Sequence, residues 1–281
     1  MESIVRNIAA QNGLQLKESK ALSGGDINHV FLLNCISEIY VVKINHATKF
    51  PAMFEAEAKG LQLLAATRSF KIPNVIAFGA LDSWSYLILE YIPQGSASSH
   101  FWNDFAENLA ALHQASRPQF GLDHHNYIGS LPQRNKPATS ASEFYISQRL
   151  EPQFKLATKK GFSFTHLAHF FKSVSIIIPD EVPALVHGDL WNGNYLVSEK
   201  GDPVLIDPAV AFASREIDLA MMQLFGGFPS EVFSTYNEIF PCMENWKDRI
   251  SLWQLYYLLV HLNLFGAGYF SQVRNILKKY S

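Results

Sequence analysis

Leu185-Val-His-Gly-Asp-Leu-Trp-Asn-Gly-Asn-Tyr-Leu-Val197, followed by Pro203-Val-Leu-Ile-Asp-Pro208, decides how this chain is read. The two segments place Asp189, Asn194 and Asp207 within nineteen residues, each at the edge of an apolar run. Asn194 follows Asp189 by five positions, and Asp207 follows thirteen later. Phosphoryl transfer from ATP needs such a set. One carboxylate orients the attacking hydroxyl or accepts its proton; an amide and a second carboxylate hold the metal that neutralises the triphosphate. Asp, Asn and Gly are also common in tight turns. Three features together favour chemistry over a turn: the flanking apolar strands, His187 and Trp191 within the loop, and the acid on the next strand. Asp189 is the candidate base, and Asn194 and Asp207 are candidate ligands of Mg2+. Asp207 ends the run Val204-Leu-Ile-Asp, where a carboxylate is costly unless it binds metal or is hydrogen-bonded. A turn or cap before Pro208 is its competing use. Trp191, two residues from the base, could stack on a sugar face or simply pack. His187 is the other candidate substrate contact.

Upstream, Lys43 lies inside the strand-like run Tyr40-Val-Val-Lys-Ile44. A lysine between Val and Ile needs an anion for its ammonium, and ATP phosphates plus a helix carboxylate would supply one. A solvent-facing edge strand is the alternative. Glu55 and Glu57 compete for the carboxylate; Glu57 is preferred because Leu61 and Leu64 define its helix face. Ser23-Gly-Gly-Asp-Ile-Asn28 is a candidate phosphate-covering turn, in which Gly24 and Gly25 let backbone N–H groups approach phosphate. It is not a Walker A loop, since Gly-Lys-Ser/Thr is absent. Arg215, Glu216 and Asp218 read as an ion-paired brace beneath the catalytic loop. His113, His261 and Asn263 read as satisfied polar groups in apolar helices.

At 281 residues, with 48% hydrophobic residues, the chain can bury a large core as one domain or two lobes. Charged residues are only 17%, and the net charge of −2 gives no pull toward nucleic acid or an anionic membrane. The 21 Phe residues suit an aromatic core. Cys35 and Cys242 have neither metal-ligand nor disulfide spacing, which fits a reducing, cytoplasmic setting. The N-terminus lacks the pattern of a signal peptide. The apolar stretch from Trp253 to Phe265 is interrupted by Gln254, His261 and Asn263 and is too short to span a bilayer.

Residues 3–12 predict a short amphipathic helix. Apolar runs at 30–33, 39–44 and 86–92 predict strands, with a helix over 54–66 between the last two. The turn-rich 93–99 predicts a hinge. Helices are expected at 103–115, 143–156, 164–177, 216–224, 230–239, 246–265 and 269–280, with a loop region at 121–137 and two short strands in the 185–207 motif. The expected architecture is α+β. A small N-terminal antiparallel sheet lobe with one helix (1–92) would bind nucleotide, and a larger, mainly helical lobe (93–281) would carry catalysis and the acceptor.

Protein kinases use His-Arg-Asp with Asn five after the Asp, then Asp-Phe-Gly; here Gly replaces Arg and Pro replaces Phe. More specifically, His187-Gly-Asp-Leu-Trp-Asn-Gly-Asn194, Leu205-Ile-Asp-Pro-Ala209, Arg215-Glu-Ile-Asp-Leu-Ala220 and Leu224-Phe-Gly-Gly-Phe-Pro229 together resemble the fructosamine kinase (ketosamine-3-kinase) family. Gly24-Gly25, Val42-Lys43, Met53-Phe-Glu-Ala-Glu57, Leu109-Ala-Ala-Leu-His113, Arg149-Leu-Glu-Pro-Gln153 and Leu259-Val-His-Leu-Asn-Leu-Phe-Gly266 extend the likeness over nearly the whole chain. The resemblance implies a bilobal protein-kinase-like fold, close to aminoglycoside and choline kinases. It implies ATP-dependent phosphorylation of the 3-hydroxyl of ketosamines, with release of the free amine from the unstable product. Carried over, Asp189 is the base, Asn194 and Asp207 hold Mg2+, Lys43 with Glu57 orients the phosphates, and backbone groups of Glu90 to Ile92 meet the adenine. Two positions depart from the pattern. Asp26 stands where some members carry Cys, and Glu143-Phe-Tyr-Ile-Ser-Gln lacks an expected Trp near the Phe.

Two other readings compete. A kinase of the same fold acting on an aminoglycoside or amino alcohol would need an acidic pocket, and acidic residues are not densely clustered after residue 93. A non-catalytic nucleotide-binding regulator would lack one of Lys43, Asp189, Asn194 and Asp207, and all four are present.

Overall fold

The computed structural model describes residues 1–22 and 27–281; Gly24 and Gly25 of the candidate phosphate turn, and Asp26, lie outside the described residues. Helix α1 (Glu2–Gln11) buries Val5, Ile8 and Ala9. Strands β1 (Leu16–Ala21), β2 (His29–Cys35) and β3 (Ile39–His46) follow, then α2 (Met53–Ala66), β4 (Val75–Leu81) and β5 (Trp84–Glu90). The five strands form one antiparallel sheet in the order β1-β2-β3-β5-β4. β3 is central, and Lys43 pairs across it with Val30 of β2 and Leu87 of β5. That position rules out the edge-strand reading of Lys43.

The sheet has two more strands than the three the apolar runs predicted. β1 is Leu-Lys-Glu-Ser-Lys-Ala, mostly solvent-facing, so it carries no apolar alternation. β4 alternates between exposed and half-buried residues and contains Gly79, which breaks the expected strand composition.

After β5 the chain runs through residues 93–99, which are anchored rather than free. Gly95 N donates to Val197 O at 3.1 Å, and a Cβ at Gly95 would meet Ser198 O at 2.8 Å. Helix α3 (Phe101–Gln114) buries Phe101, Phe105, Leu109 and Leu112 at helical spacing. A short hairpin, β6 (Asn126–Ile128) and β7 (Leu131–Gln133), occupies the segment expected to be loop. The helix expected over 143–156 is interrupted. It comprises α4 (Ala141–Phe144), a π-helical turn over Tyr145–Leu150 and α5 (Glu151–Lys159). Arg149, in that turn, is buried and stacks on Phe144 and Tyr256. Helix α6 (Leu167–Ile177) leads to the strands that carry the motif: β8 (Ala184–Val186), β9 (Tyr195–Val197), β10 (Pro203–Leu205) and β11 (Ala211–Ala213). β9 pairs with β10 and β8 with β11. Helices α7 (Glu216–Leu224), α8 (Ser230–Ile239), α9 (Trp246–Phe265) and α10 (Phe270–Tyr280) close the fold. No helix among the described residues is long and apolar enough to cross a membrane.

Three cores hold these elements. One joins α1 to one face of the sheet through Val5, Ile8, Val42 and Ile88. A second runs from Leu87 and Leu89 on the other face through α2 and α3 to Leu185, Leu190 and Leu205. The same packed interior therefore fixes the sheet that carries Lys43 and the strands that carry Asp189 and Asp207. A third core, with Trp253, Tyr256 and Tyr257 of α9 at its centre, fills the helical region.

Candidate active site

Gly188, between His187 and Asp189, has φ +81°, and a Cβ there would lie 2.2 Å from the carbonyl oxygen of Ala209. The two strand-loop segments are thus pressed together where only glycine fits. Ala209 N donates to His187 O at 2.9 Å, and Ile206 N donates to Asn194 O at 3.1 Å. These bonds set Asp189, Asn194 and Asp207 on one wall. Asp207 has φ +56°, a left-handed conformation that costs a non-glycine residue about 1 kcal/mol or more.

Asp218 of α7 holds the loop from below. It is fully buried, and its carboxylate accepts from His187 N at 2.7 Å and from Gly188 N at 2.8 Å. His113 Nε2 meets it at 3.3 Å, and His113 Nδ1 meets the Tyr236 hydroxyl at 2.8 Å. From above, the Tyr257 hydroxyl donates to Gly188 O at 2.8 Å. The ion-paired brace expected of Arg215, Glu216 and Asp218 is divided among three partners. Asp218 grips the loop backbone. Glu216 pairs with Arg249 at 2.6 and 2.9 Å and accepts from Trp253 Nε1. Arg215 binds Glu181 and the carbonyls of Phe240 and Pro241.

His187, expected as a substrate contact, does not line the cleft. It is fully buried, with Nε2 2.9 Å from Ile206 O and Nδ1 accepting from Asp189 N at 3.3 Å. A carbonyl can only accept, so Nε2 carries the proton and the ring ties Asp189 to the Asp207 segment. Burial keeps its pKa below the usual value, against the pull of Asp218.

Six of the residues singled out in the sequence line one cleft of about 220 Å3: Lys43, Glu57, Asp189, Trp191, Asn194 and Asp207. Lys43 Nζ donates to Glu57 Oε1 at 2.7 Å and to Asp207 Oδ1. Glu57 is therefore the partner of Lys43; Glu55 pairs with Lys59 on the exposed side of α2. Burial works to lower the Lys43 pKa, but the carboxylates of Asp207 and Glu57 outweigh it and hold it above the ordinary lysine value. Burial pushes the Asp189 carboxyl up to about 7. The hydrogen bond from Asn194 Nδ2 (3.2 Å) opposes that rise, and the negative charges of Asp207 and Asp218 add to it. A carboxylate tuned near neutrality suits proton transfer from a hydroxyl.

Glu90 and Ile92 do not line this cleft. The Glu90 carboxylate accepts from Asn74 and pairs with Lys71, and Ile92 is buried. Asn126, Tyr127 and Gly129 of the β6–β7 hairpin line the cleft without having been singled out in the sequence. A three-residue strand between polar loops leaves no periodicity to read.

The donor set suits a hard cation. Asn194 and the half-exposed Asp207 carboxylate bring oxygen donors to the cleft. Among the described residues no group of three His, Cys, Asp or Glu side chains gathers as a metal cage. Mg2+ typically takes one or two carboxylates and completes its shell with phosphates and water, so two protein donors are enough for it.

A five-stranded antiparallel sheet whose Lys43 pairs with a helix glutamate, set over a mainly helical region whose strand-flanked loops present Asp189, Asn194 and Asp207, defines the protein-kinase-like class. Comparison with known proteins agrees. An aminoglycoside phosphotransferase solved with AMP-PNP and hygromycin B shares the fold at a TM-score of 0.70 and 16% identity, over 99% of this chain and 98% of that one. The family described as fructosamine kinase matches residues 1–281. A Synechocystis protein named "probable ketoamine kinase" is 38% identical over 99% of this chain and 96% of its own length. A crystal structure from Haemophilus somnus, assigned as a fructosamine-3-kinase, superposes with a TM-score of 0.89 at 30% identity, covering 99% of this chain and 96% of that one. The chain belongs to the fructosamine kinase family.

Proposed function

We propose that this chain is an ATP-dependent ketosamine kinase that phosphorylates the sugar 3-hydroxyl and so acts in deglycation. The observation that carries the reading is the gathering of Lys43, Glu57, Asp189, Asn194 and Asp207 around one cleft in a member of this family. Residues 1–92 would form the nucleotide-binding lobe and residues 93–281 the catalytic and acceptor-binding lobe. Lys43, fixed by Glu57, would bind the ATP phosphates, with backbone groups at Glu90 to Ile92 facing the adenine and Gly24-Gly25 near the phosphates. Asp207 and Asn194 would hold Mg2+, which when bound neutralises charge on the triphosphate.

Asp189 would accept the proton of the attacking hydroxyl. The acceptor oxygen forms a bond to the γ-phosphorus as the bond to the β–γ bridging oxygen breaks, and ADP leaves with that electron pair. The Asn194 bond to Asp189 and the grip of Asp218 and Tyr257 on the loop would keep the carboxylate in place through the transfer. A 3-phosphoketosamine is unstable and releases its free amine, which would complete deglycation.

The test is ATP consumption with ribulose-lysine, fructose-lysine, kanamycin, choline and no acceptor. Ketosamine-dependent ADP release, with phosphate located on O3, is expected. Turnover with kanamycin or choline alone would discard the acceptor and keep the mechanism. Tight nucleotide binding without turnover of any acceptor would leave a regulator.

A further inference from the structure

A second cavity of about 500 Å3 opens beside Asp189, and the phosphoryl-transfer scheme makes no use of it. It shares Gly129, Asp189 and Trp191 with the Lys43 cleft, so the two meet at the base. Its wall is apolar and aromatic, formed by Ile128, Met221, Phe225, Val260, Leu264 and Phe265. Trp191, Phe225 and Phe265 are 38%, 41% and 57% exposed at its lining. Large aromatic groups left open to solvent at the mouth of a cavity mark a binding surface.

Polar groups are few. Among the described residues Asp189 is the only carboxylate in the lining, and Asn192 adds a carboxamide. The Tyr257 hydroxyl is committed to Gly188 O. His261 is poised differently. Its Nδ1 lies 2.8 Å from Tyr257 O, one turn back on α9, and because a carbonyl only accepts, Nδ1 carries the proton. The neutral ring then presents the Nε2 lone pair on its opposite side. Among the described residues no protein group meets Nε2, and burial holds the ring below the ordinary histidine pKa, in its neutral form. The ring centroid of His261 is 5.0 Å from that of Phe225 and 5.4 Å from that of Phe265.

We propose that this cavity seats the amine-bearing half of the acceptor, that it selects ketosamines whose amine carries an uncharged hydrocarbon group, and that His261 Nε2 accepts the N–H of that amine. The inference rests on the ketosamine reading and gives it a substrate class. A sugar bears a hydroxyl on nearly every carbon and would leave them unpaired against this wall. The polyol therefore stays at the mouth with Asp189 and Trp191, and the hydrocarbon enters. A secondary ammonium is accommodated over the faces of Trp191 and Phe225. An amine with its own carboxylate would carry a second negative charge toward Asp189, and a polycation would find no acidic partner beyond Asp189 among the described residues of the lining.

The experiment measures kcat and KM for ketosamines of one sugar made with methylamine, butylamine, hexylamine and glycine, on the native chain and on His261→Leu and His261→Gln. Each added methylene should improve kcat/KM by up to about fourfold, through KM. The glycine adduct should be at least tenfold poorer than the methylamine adduct. His261→Leu should raise KM about tenfold with little change in kcat, and His261→Gln, which keeps an acceptor, should recover most of the loss. A flat amine series, or a preference for the glycine adduct, would overturn this inference while leaving the ketosamine kinase intact. Phosphorylation of none of the four would overturn the proposed function and this inference with it. Should His261→Leu fail to fold, the amine series on the native chain decides alone.

Discussion

Replacing Gly188 by alanine perturbs the site at its tightest point. Two costs can be worked from the structure. With φ at +81°, any side chain adds about 1–2 kcal/mol of backbone strain. The new Cβ would also lie 2.2 Å from Ala209 O, about 1 Å inside the closest C–H···O approach. Backbone cannot swing aside as a long side chain can, so the two segments must separate by roughly that distance. Separation stretches the Ala209 N to His187 O bond and moves Asp189 away from Asp207, two residues before Ala209. The strain and the weakened hydrogen bond together cost about 2–4 kcal/mol of stability. A 1 Å misplacement of a catalytic group costs about 100-fold in rate. The assay is ADP release at saturating ATP, with calorimetry on the same preparations. Gly161→Ala serves as the control: Gly161 has φ +92° but nothing within 4 Å of its Cβ, so it should lose stability alone. A folded Gly188→Ala protein with kcat within threefold of the native value would refute the claim that this contact sets the active geometry.

Other expectations follow from neighbouring contacts. Asp189→Asn should lower kcat at least 1,000-fold while nucleotide affinity, read by calorimetric titration, stays within a few-fold; near-native turnover would remove Asp189 as the base. Asp207→Ala should abolish Mg2+-dependent ATP binding, and unchanged affinity in the presence of Mg2+ would refute its metal role. Asp218→Asn keeps one acceptor for two backbone donors and turns an amide N–H toward the other, costing about 1–3 kcal/mol in denaturant titration together with a fall in kcat. Arg249→Met strands the buried Glu216 carboxylate and should cost about 3–5 kcal/mol; a thermal midpoint within 2 °C of the native one would show that Trp253 and the surrounding core neutralise Glu216 unaided.

The parts of the site that were legible in the sequence lie in short, contiguous patterns. Asp189, Asn194 and Asp207 sit in one motif, and Lys43 stands out because a charged residue among Val and Ile in a central strand demands an anion. Helix periodicity favours Glu57 over Glu55, and the Lys43 contact agrees with it. Features that depend on residues meeting across long sequence separations were not legible. The second cavity draws Ile128, Trp191, Phe225 and His261 from four distant segments, and nothing local distinguishes His261 from a core histidine. The sequence suggests Asp218 as one arm of a charge brace, yet it grips two backbone amides and meets His113, more than a hundred residues away, which no local side-chain pattern reports. The π-helical turn escaped because its residues keep helix-like composition; the extra backbone step is visible only in the hydrogen bonds. The edge strand β1 escaped for the opposite reason, since exposure on most of its residues removes the apolar signature of a strand.

Tyr257 and His261 stand one turn apart on α9, the first fastening the backbone of the loop that carries Asp189 and the second lining the cavity beside it. This arrangement constrains how the lineage can diversify. A shift or rotation of α9 that reshaped the cavity would also drag Gly188, so helix movement is closed as a route to new acceptors. What stays adjustable is side-chain identity at Val260, Leu264 and Phe265, which line the cavity without a hydrogen bond to the loop. Relatives that accept different amines should therefore differ at those three positions while keeping the tyrosine, and exchanging the trio between two such proteins should carry the preference with it.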